Sequence, residues 1–223
     1  MSIELDHLFV CVAKDGVEAA TLIDFGLSEG SPNTHPGQGT ACRRFFFRNA
    51  YLELLWIDHP VEAQSELVRP TRLWDRWEGR KSGACPFGFI FRPTASGQGT
   101  PPFVTWPYHP PYLPVPLALA VANNADLLTE PLLLWFPMSR RPDQVGASAV
   151  QPLDHDAGLA EVTSVELLSP FADRPSPALR GLIDAGLIRM RAGADFHVKL
   201  IFDDGSNGRE VDFRPRLPLI FGW

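Results

Sequence analysis

The run Tyr51-Leu52-Glu53-Leu54-Leu55-Trp56 is apolar on both faces of a strand except for one carboxylate. An ionised carboxylate in such a setting costs several kcal/mol unless a cation, a metal or hydrogen-bond donors compensate it. Two partners are available in the sequence. One is His7, on the first strand; the other is an arginine, Arg43 or Arg44, across the hairpin formed with residues 43–48. A Gly-rich stretch, His35-Pro36-Gly37-Gln38-Gly39-Thr40, precedes that hairpin and places a further histidine in a loop, where a polar side chain can reach a substrate.

The remaining elements follow from periodicity. Residues 3–13 alternate, with Ile3, Leu5, His7, Phe9 and Cys11 on one face. Residues 17–27 read as a short amphipathic helix closing near Gly26, and residues 28–40 as loop. Asn49-Ala50 separates two β-rich runs as a hairpin turn. Residues 61–79 are helical in pattern, split or kinked at Pro70. Strands are expected at 87–91, 117–121 and 132–136, and the prolines between 93 and 116 confine that stretch to edge strand and ordered loop. Beyond 158, a strand at 159–168 leads to a helix at 177–185. Ser176 is its N-cap, Pro177 its first residue, and Gly186 its stop. Strands at 196–202 and 209–214 flank a turn at 203–208.

Two internal repeats compete. The literal one sets Gly37-Gln38-Gly39-Thr40 against Gly97-Gln98-Gly99-Thr100, and Leu54-Leu55-Trp56 against Leu133-Leu134-Trp135, with Leu132 where Glu53 stands. The other is a repeat of element order. It sets Leu5-Asp6-His7-Leu8 against Leu159-Ala160-Glu161-Val162 and Leu52-Glu53-Leu54 against Val211-Asp212-Phe213, with key residues 46 and 51 positions apart. The order repeat includes a helix in each copy. It predicts an α+β chain in three parts forming one unit: a β-α-β-β-β module over 1–58, a bridging helix and Pro-rich segment with extra strands over 59–157, and a second, degenerate module over 158–223.

Composition narrows the function classes. A net charge of -6 with scattered basic residues argues against nucleic-acid binding. No segment approaches the roughly 18 to 20 apolar residues of a membrane span, and the acidic start Glu4-Leu5-Asp6 lacks a signal peptide's basic region. Three cysteines without a C-x-x-C pair read as free thiols, and a cytoplasmic address is expected. No Walker loop, nucleophile elbow or dinucleotide fingerprint is present.

Through Leu5-Asp6-His7-Leu8, His35 to Thr40 and Tyr51-Leu52-Glu53-Leu54, the chain resembles the vicinal oxygen chelate superfamily, in particular its glyoxalase-like domains. That resemblance implies paired β-α-β-β-β modules curled into a cup, as in glyoxalase and bleomycin-resistance proteins. It implies a divalent metal in the cup and a small substrate chelated through neighbouring oxygens; some members instead bind a drug without metal. Homodimers are frequent among such proteins. Carried over by position, the metal ligands are His7, Glu53, Glu161 and Asp212, with Glu53 or Glu161 moving a proton. One histidine and three carboxylates form a hard site, better suited to Mg or Mn than to Zn, with Fe disfavoured by the lack of a second histidine. His35, Arg43, Trp106 and Tyr108 are the expected substrate-binding residues. Lyase, isomerase and dioxygenase chemistry stay open, and so does a metal-free binding module in which Glu53 is neutralised by Arg43, Arg44 or a proton.

Overall fold

A computed structural model describes residues 2–95, 99–146 and 150–223, and among them are thirteen strands in two mixed sheets, four short α-helices and several 3-10 turns. Strand β1 (Ile3–Cys11) leads through α1 (Ala19–Asp24) to β2 (Asn33–His35), β3 (Thr40–Phe46) and β4 (Tyr51–Ile57). Helices α2 (Pro60–Ala63) and α3 (Leu73–Glu78) follow, separated by a 3-10 turn at Arg69–Thr71, so Pro70 splits the helical stretch. Next come β5 (Phe87–Pro93), β6 (Thr105–Tyr108), β7 (Leu119–Ala122) and β8 (Leu132–Trp135). These eight strands form one sheet in the order β2-β3-β4-β1-β5-β8-β7-β6. Pro107 lies in β6, at the sheet's edge, where a missing N–H is tolerated.

The order is two-fold symmetric. Strand β1 runs parallel to β4 and β5 parallel to β8, while β1 and β5 meet antiparallel at the centre. Phe9 pairs with Glu53 and Gly88 with Leu132, an offset of 79 on both strands (88 − 9 and 132 − 53). The Leu-Leu-Trp half of the literal repeat is therefore structural, with Leu54-Leu55-Trp56 and Leu133-Leu134-Trp135 in equivalent places. The tetrapeptide half is not: its copies are 60 positions apart (97 − 37), and Gly97 and Gln98 lie outside the described residues. The pairing of modules holds, but residues 87–135 supply the second one, with no α-helix among the described residues there, in place of residues 158–223.

Residues beyond 158 build the second sheet. Strands β9 (Val162–Ser169), β10 (Arg189–Ala192), β11 (His197–Phe202), β12 (Glu210–Asp212) and β13 (Leu219–Gly222) take the order β10-β9-β11-β13-β12. Helix α4 (Pro177–Asp184) crosses between the parallel strands β9 and β10; Ser176 Oγ accepts from Leu179 N as its N-cap, as expected. Strands β10 and β13 were not foreseen, nor was β2, which lies within the stretch 28–40 read as loop.

This second sheet covers the outer face of the first. Leu8, Val10, Leu52, Leu54, Phe89 and Leu133 share one buried cluster with Val165, Leu167, Val198, Leu200 and Phe221. Hydrogen bonds seal the seam at Asn49, whose side chain donates to Val162 O (2.7 Å) and accepts from Val162 N (2.9 Å). The other face of the first sheet carries a separate cluster, with Phe9, Leu55, Ile90, Tyr108, Leu132 and Leu134. Strand β4 is thus apolar on both faces because one face fills the intersheet core and the other lines a cup. Among the described residues, no helix is long and apolar enough to cross a membrane, and Cys11, Cys42 and Cys85 are free and buried.

Candidate functional site

The concave face of the first sheet encloses a cavity of about 210 Å³. Strands β1 and β4 bring His7, Phe9, Tyr51, Glu53 and Leu55 to it, and the hairpin of β2 and β3 brings Asn33, His35 and Gln38. The symmetry-related half contributes Ile90, Leu119, Leu132, Leu134 and Phe136, with Tyr108 and Tyr112 at the Pro-rich side. Thr71 and Leu73, from the segment entering α3, close one end. The cavity therefore has a polar wall and an apolar wall. The offset of 79 explains this: Pro86 stands where His7 stands (86 − 7), and Leu132 where Glu53 stands.

His7 is fixed from behind. Its Nδ1 donates to Asp6 Oδ1 at 2.5 Å, and its ring stacks on Tyr51 at 4.3 Å between centroids. Asp6 is fully buried and also accepts from Arg92 Nη1 (2.7 Å) and from the Ser139 hydroxyl. Burial pushes the Asp6 carboxyl up, but His7, Arg92 and Ser139 outweigh it and hold the group below the ordinary carboxylate range. With Nδ1 committed to Asp6, Nε2 faces the cavity and lies 3.9 Å from Glu53 Oε2.

Glu53 is 5% exposed. Neither arginine of the hairpin pairs with it. Arg43 binds Glu29 through Nε and Nη2 (2.6 and 2.5 Å), and Arg44 donates to the Ser31 and Pro32 carbonyls and lies over the Phe46 ring. The buried Cys42 thiol bonds to Glu53; desolvation and the neighbouring carboxylate push this thiol strongly upward, so it stays protonated. Among the described residues, His7 is the one basic side chain within ion-pair range of Glu53.

His35 sits on a tight turn, not a mobile loop. Gly39 takes φ +75, and a Cβ there would stand 2.3 Å from the His59 carbonyl, so only glycine fits. The Asn33 side-chain amide donates to His35 Nε2 (3.0 Å), so the ring's proton lies on Nδ1, which donates to Thr40 Oγ1 (2.8 Å). Burial lowers the pKa of His35 and keeps it neutral. The chain continues through Gln38, which donates to Thr40 Oγ1 and accepts from the Tyr108 hydroxyl (3.0 Å).

Of the residues expected at the site, His7, Glu53, His35 and Tyr108 meet in the cup. Glu161 and Asp212 do not, because the strand and loop that carry them belong to the second sheet. Glu161 pairs with Arg141 (2.6 Å), and Asp212 pairs with Arg214 at the surface. Arg43 points away toward Glu29, and Trp106 packs edge-on to Tyr108 without lining the cavity. The hard, three-carboxylate metal site is therefore not assembled. Asp6, Tyr51 and Gln38 were missed, although Asp6 adjoins His7 in sequence, whereas Tyr112, with Tyr108 an aromatic of the Pro-rich segment, does line the cavity.

A cation has a donor set on the polar wall. His35, Cys42 and Glu53 each bring a ligand atom to within 4.8 Å of the others; His7 lies outside that group, but its Nε2 is 3.9 Å from Glu53 and its ring is oriented by a carboxylate behind it, the usual second partner of a metal-bound imidazole. The protonated Cys42 is the weakest donor of the four.

Comparison with known proteins agrees with this architecture. Residues 5–110 match the family described as Glyoxalase-like domain. A hypothetical protein from Staphylococcus aureus shares the fold, with a TM-score of 0.55, 10% identity and 98% of each chain covered. A xylose isomerase-like TIM barrel/4-hydroxyphenylpyruvate dioxygenase fusion protein matches with a TM-score of 0.49 and 11% identity, covering 92% of this chain and 37% of that one. Comparison with curated proteins gives no match. The match, the β1–β4 module and the cup at its concave face identify residues 5–110 as a glyoxalase-like domain of the vicinal oxygen chelate superfamily.

Proposed function

We propose that the cup is a catalytic cavity for a small, mainly apolar molecule bearing an oxygen function, and that the protein works in the cytoplasm. The observation that carries this reading is the Asp6-His7-Glu53 arrangement: an imidazole oriented by a buried carboxylate faces a second carboxylate that no arginine neutralises, on the one polar wall of the cavity. Glu53 accepts a proton from the bound molecule, and His7, held in place by Asp6 through Nδ1, presents Nε2 for a second proton transfer. The apolar wall excludes water and holds the body of the molecule against these groups.

A divalent cation held by Glu53 and His7, with His35 joining once its Nε2 gives up the Asn33 amide, would supply Lewis-acid polarisation of the ligand's oxygen when bound. With imidazole nitrogens in the donor set, Zn or Fe suits it better than Mg or Mn. This reverses the preference drawn from three carboxylates, and no role falls to Glu161 or Asp212.

A second reading has its own support. Pro86 and Leu132 replace the ligand positions in the other half, and both His35 nitrogens are already hydrogen-bonded. These features favour a metal-free binding module. Metal content of protein purified without chelator, with titration of Zn, Fe(II), Mn and Mg, separates the two. Near-stoichiometric Zn or Fe that Glu53→Gln weakens at least about tenfold supports the catalytic reading; no metal above trace, before or after titration, leaves the binding module.

A further inference from the structure

The charge of the cup wall limits what enters it. Among the described residues lining the cavity, Glu53 is the one carboxylate, and there is no lysine or arginine. The three nearby arginines of this sheet are committed elsewhere: Arg43 to Glu29, Arg44 to two backbone carbonyls, and Arg92 to Asp6, Glu4 and the Asn49 carbonyl. The lining amide and ring donors of Gln38 and His35 are spent within the wall, on Thr40. The hydroxyls of Tyr51 and Tyr112 remain, both held protonated by burial, and they bring no charge. On the far side Ile90, Leu119, Leu132, Leu134 and Phe136 offer hydrocarbon alone.

We infer that the cup selects molecules that are apolar along one side and end in an uncharged or cationic hydrogen-bond donor, a hydroxyl or an ammonium, and that it rejects anionic ones. This rests on the reading of the cup as a small-molecule site, and it adds the class of molecule. A donor end satisfies Glu53, the acceptor that the fold leaves without a strong partner. A carboxylate or phosphoryl end would instead set a second negative charge within a few ångströms of Glu53, in a poorly solvated space without lysine or arginine. The basic side chain there, His7, is already engaged by Asp6 and faces Glu53. At that separation the repulsion weakens binding by on the order of a hundredfold or more.

The test uses three probes of one shape: 4-methylphenol, 4-methylbenzylamine and 4-methylbenzoate. Their binding to the full chain is measured by ligand-observed NMR and calorimetry at neutral pH, with chelator present so that no cation offsets Glu53. The phenol or the amine should bind, the benzoate at least about a hundredfold more weakly, and Glu53→Gln should bring benzoate within about tenfold of the phenol. The ratio of amine to phenol tells which donor is preferred. Benzoate binding the wild type within tenfold of the phenol, an unchanged gap in Glu53→Gln, or no binding of any probe would each overturn the inference. Metal titration reads the catalytic proposal separately: selective binding by a protein that takes up no metal leaves this inference standing and removes the metal-assisted reading.

Discussion

Replacing Arg92 by methionine tests whether the polar wall of the cup is held by a buried ion pair. Arg92 is 1% exposed and donates to Asp6 (2.7 Å), Glu4 (3.1 Å) and the Asn49 carbonyl (2.6 Å). Glu4 lies at the surface side and can hydrate; Asp6, at 0% exposure, cannot. Removing one member of a buried pair costs about 3–5 kcal/mol, because the other charge stays buried and unpaired. His7 and Ser139 still reach Asp6, which places Arg92→Met near the lower end, about 3 kcal/mol. Replacing both partners should cost less than their sum. The double variant Asp6→Leu/Arg92→Met is expected to show a coupling of about 2 kcal/mol or more in urea unfolding at unchanged denaturant slope.

The pH dependence follows from the same pair. Asp6 has a folded pKa below its ordinary 3.8, so its contribution is full above that value and is lost as pH falls through the lower folded one. Arg92→Met removes one of the groups lowering it, so the folded value moves back toward the ordinary one and the loss of stability below that ordinary value should be smaller in the variant than in the wild type. A cost under about 1 kcal/mol, or strictly additive single variants, would show that Asp6 is not charged or not dependent on Arg92, and the account of His7's orientation would fail with it.

Three further outcomes are open to measurement. Gly88→Ala places a Cβ 2.0 Å from Phe9 Cε1 and should destabilise by about 1–3 kcal/mol or more, with partial recovery in Gly88→Ala/Phe9→Leu; thermal melts decide it. Burial depresses the pKa of His35, so its contribution is present above the unfolded value of 6.5 and is lost as pH falls. Urea midpoints between pH 5 and 8 should slope downward toward acid less steeply in His35→Gln than in the wild type, and equal slopes would refute a buried neutral ring. Ser176→Ala removes both the α4 cap and a hydrogen bond to Glu130 (2.6 Å), for a loss of about 1–2 kcal/mol in chemical unfolding.

Local chemistry was legible where it is decided by neighbours in sequence. The Ser176, Pro177 and Gly186 signals set the limits of α4, Pro70 split the helical stretch, and the prolines near 107 kept β6 at an edge. The partner of the first module was not legible from element order, because order does not say which sheet a strand joins. Burial on both faces does. Strands β5 and β8 read Phe87-Gly88-Phe89-Ile90-Phe91 and Leu132-Leu133-Leu134-Trp135, apolar on each side like β4, and they are buried on each side between core and cup. Strand β9 alternates between buried and part-exposed positions, the pattern of a sheet covered on one face. That contrast was present in the sequence, and it would have removed Glu161 and Asp212 from the site. The orientation of Arg43 and Arg44 was beyond reach, since it depends on Glu29 and on carbonyls of the β2 approach.

The cup can hold an unneutralised carboxylate because stability is generated on the other side of the same strands. Leu52 and Leu54 point into the intersheet core, where Phe45, Phe89, Phe202 and Phe221 are buried essentially completely, while Glu53 between them points into the cup. Each fully buried side chain of that kind contributes about 1.5–3 kcal/mol, so a few of them offset the desolvation of one partly compensated carboxylate. The second sheet thereby has a physical role without contributing a residue to the cavity: it closes the outer face of β1, β4, β5 and β8, and so frees their inner face for a polar wall. Loosening that seam, for example at Asn49 where two hydrogen bonds join β9, should therefore weaken ligand binding in the cup through the stability of β4 and leave the selectivity set by Glu53 unchanged.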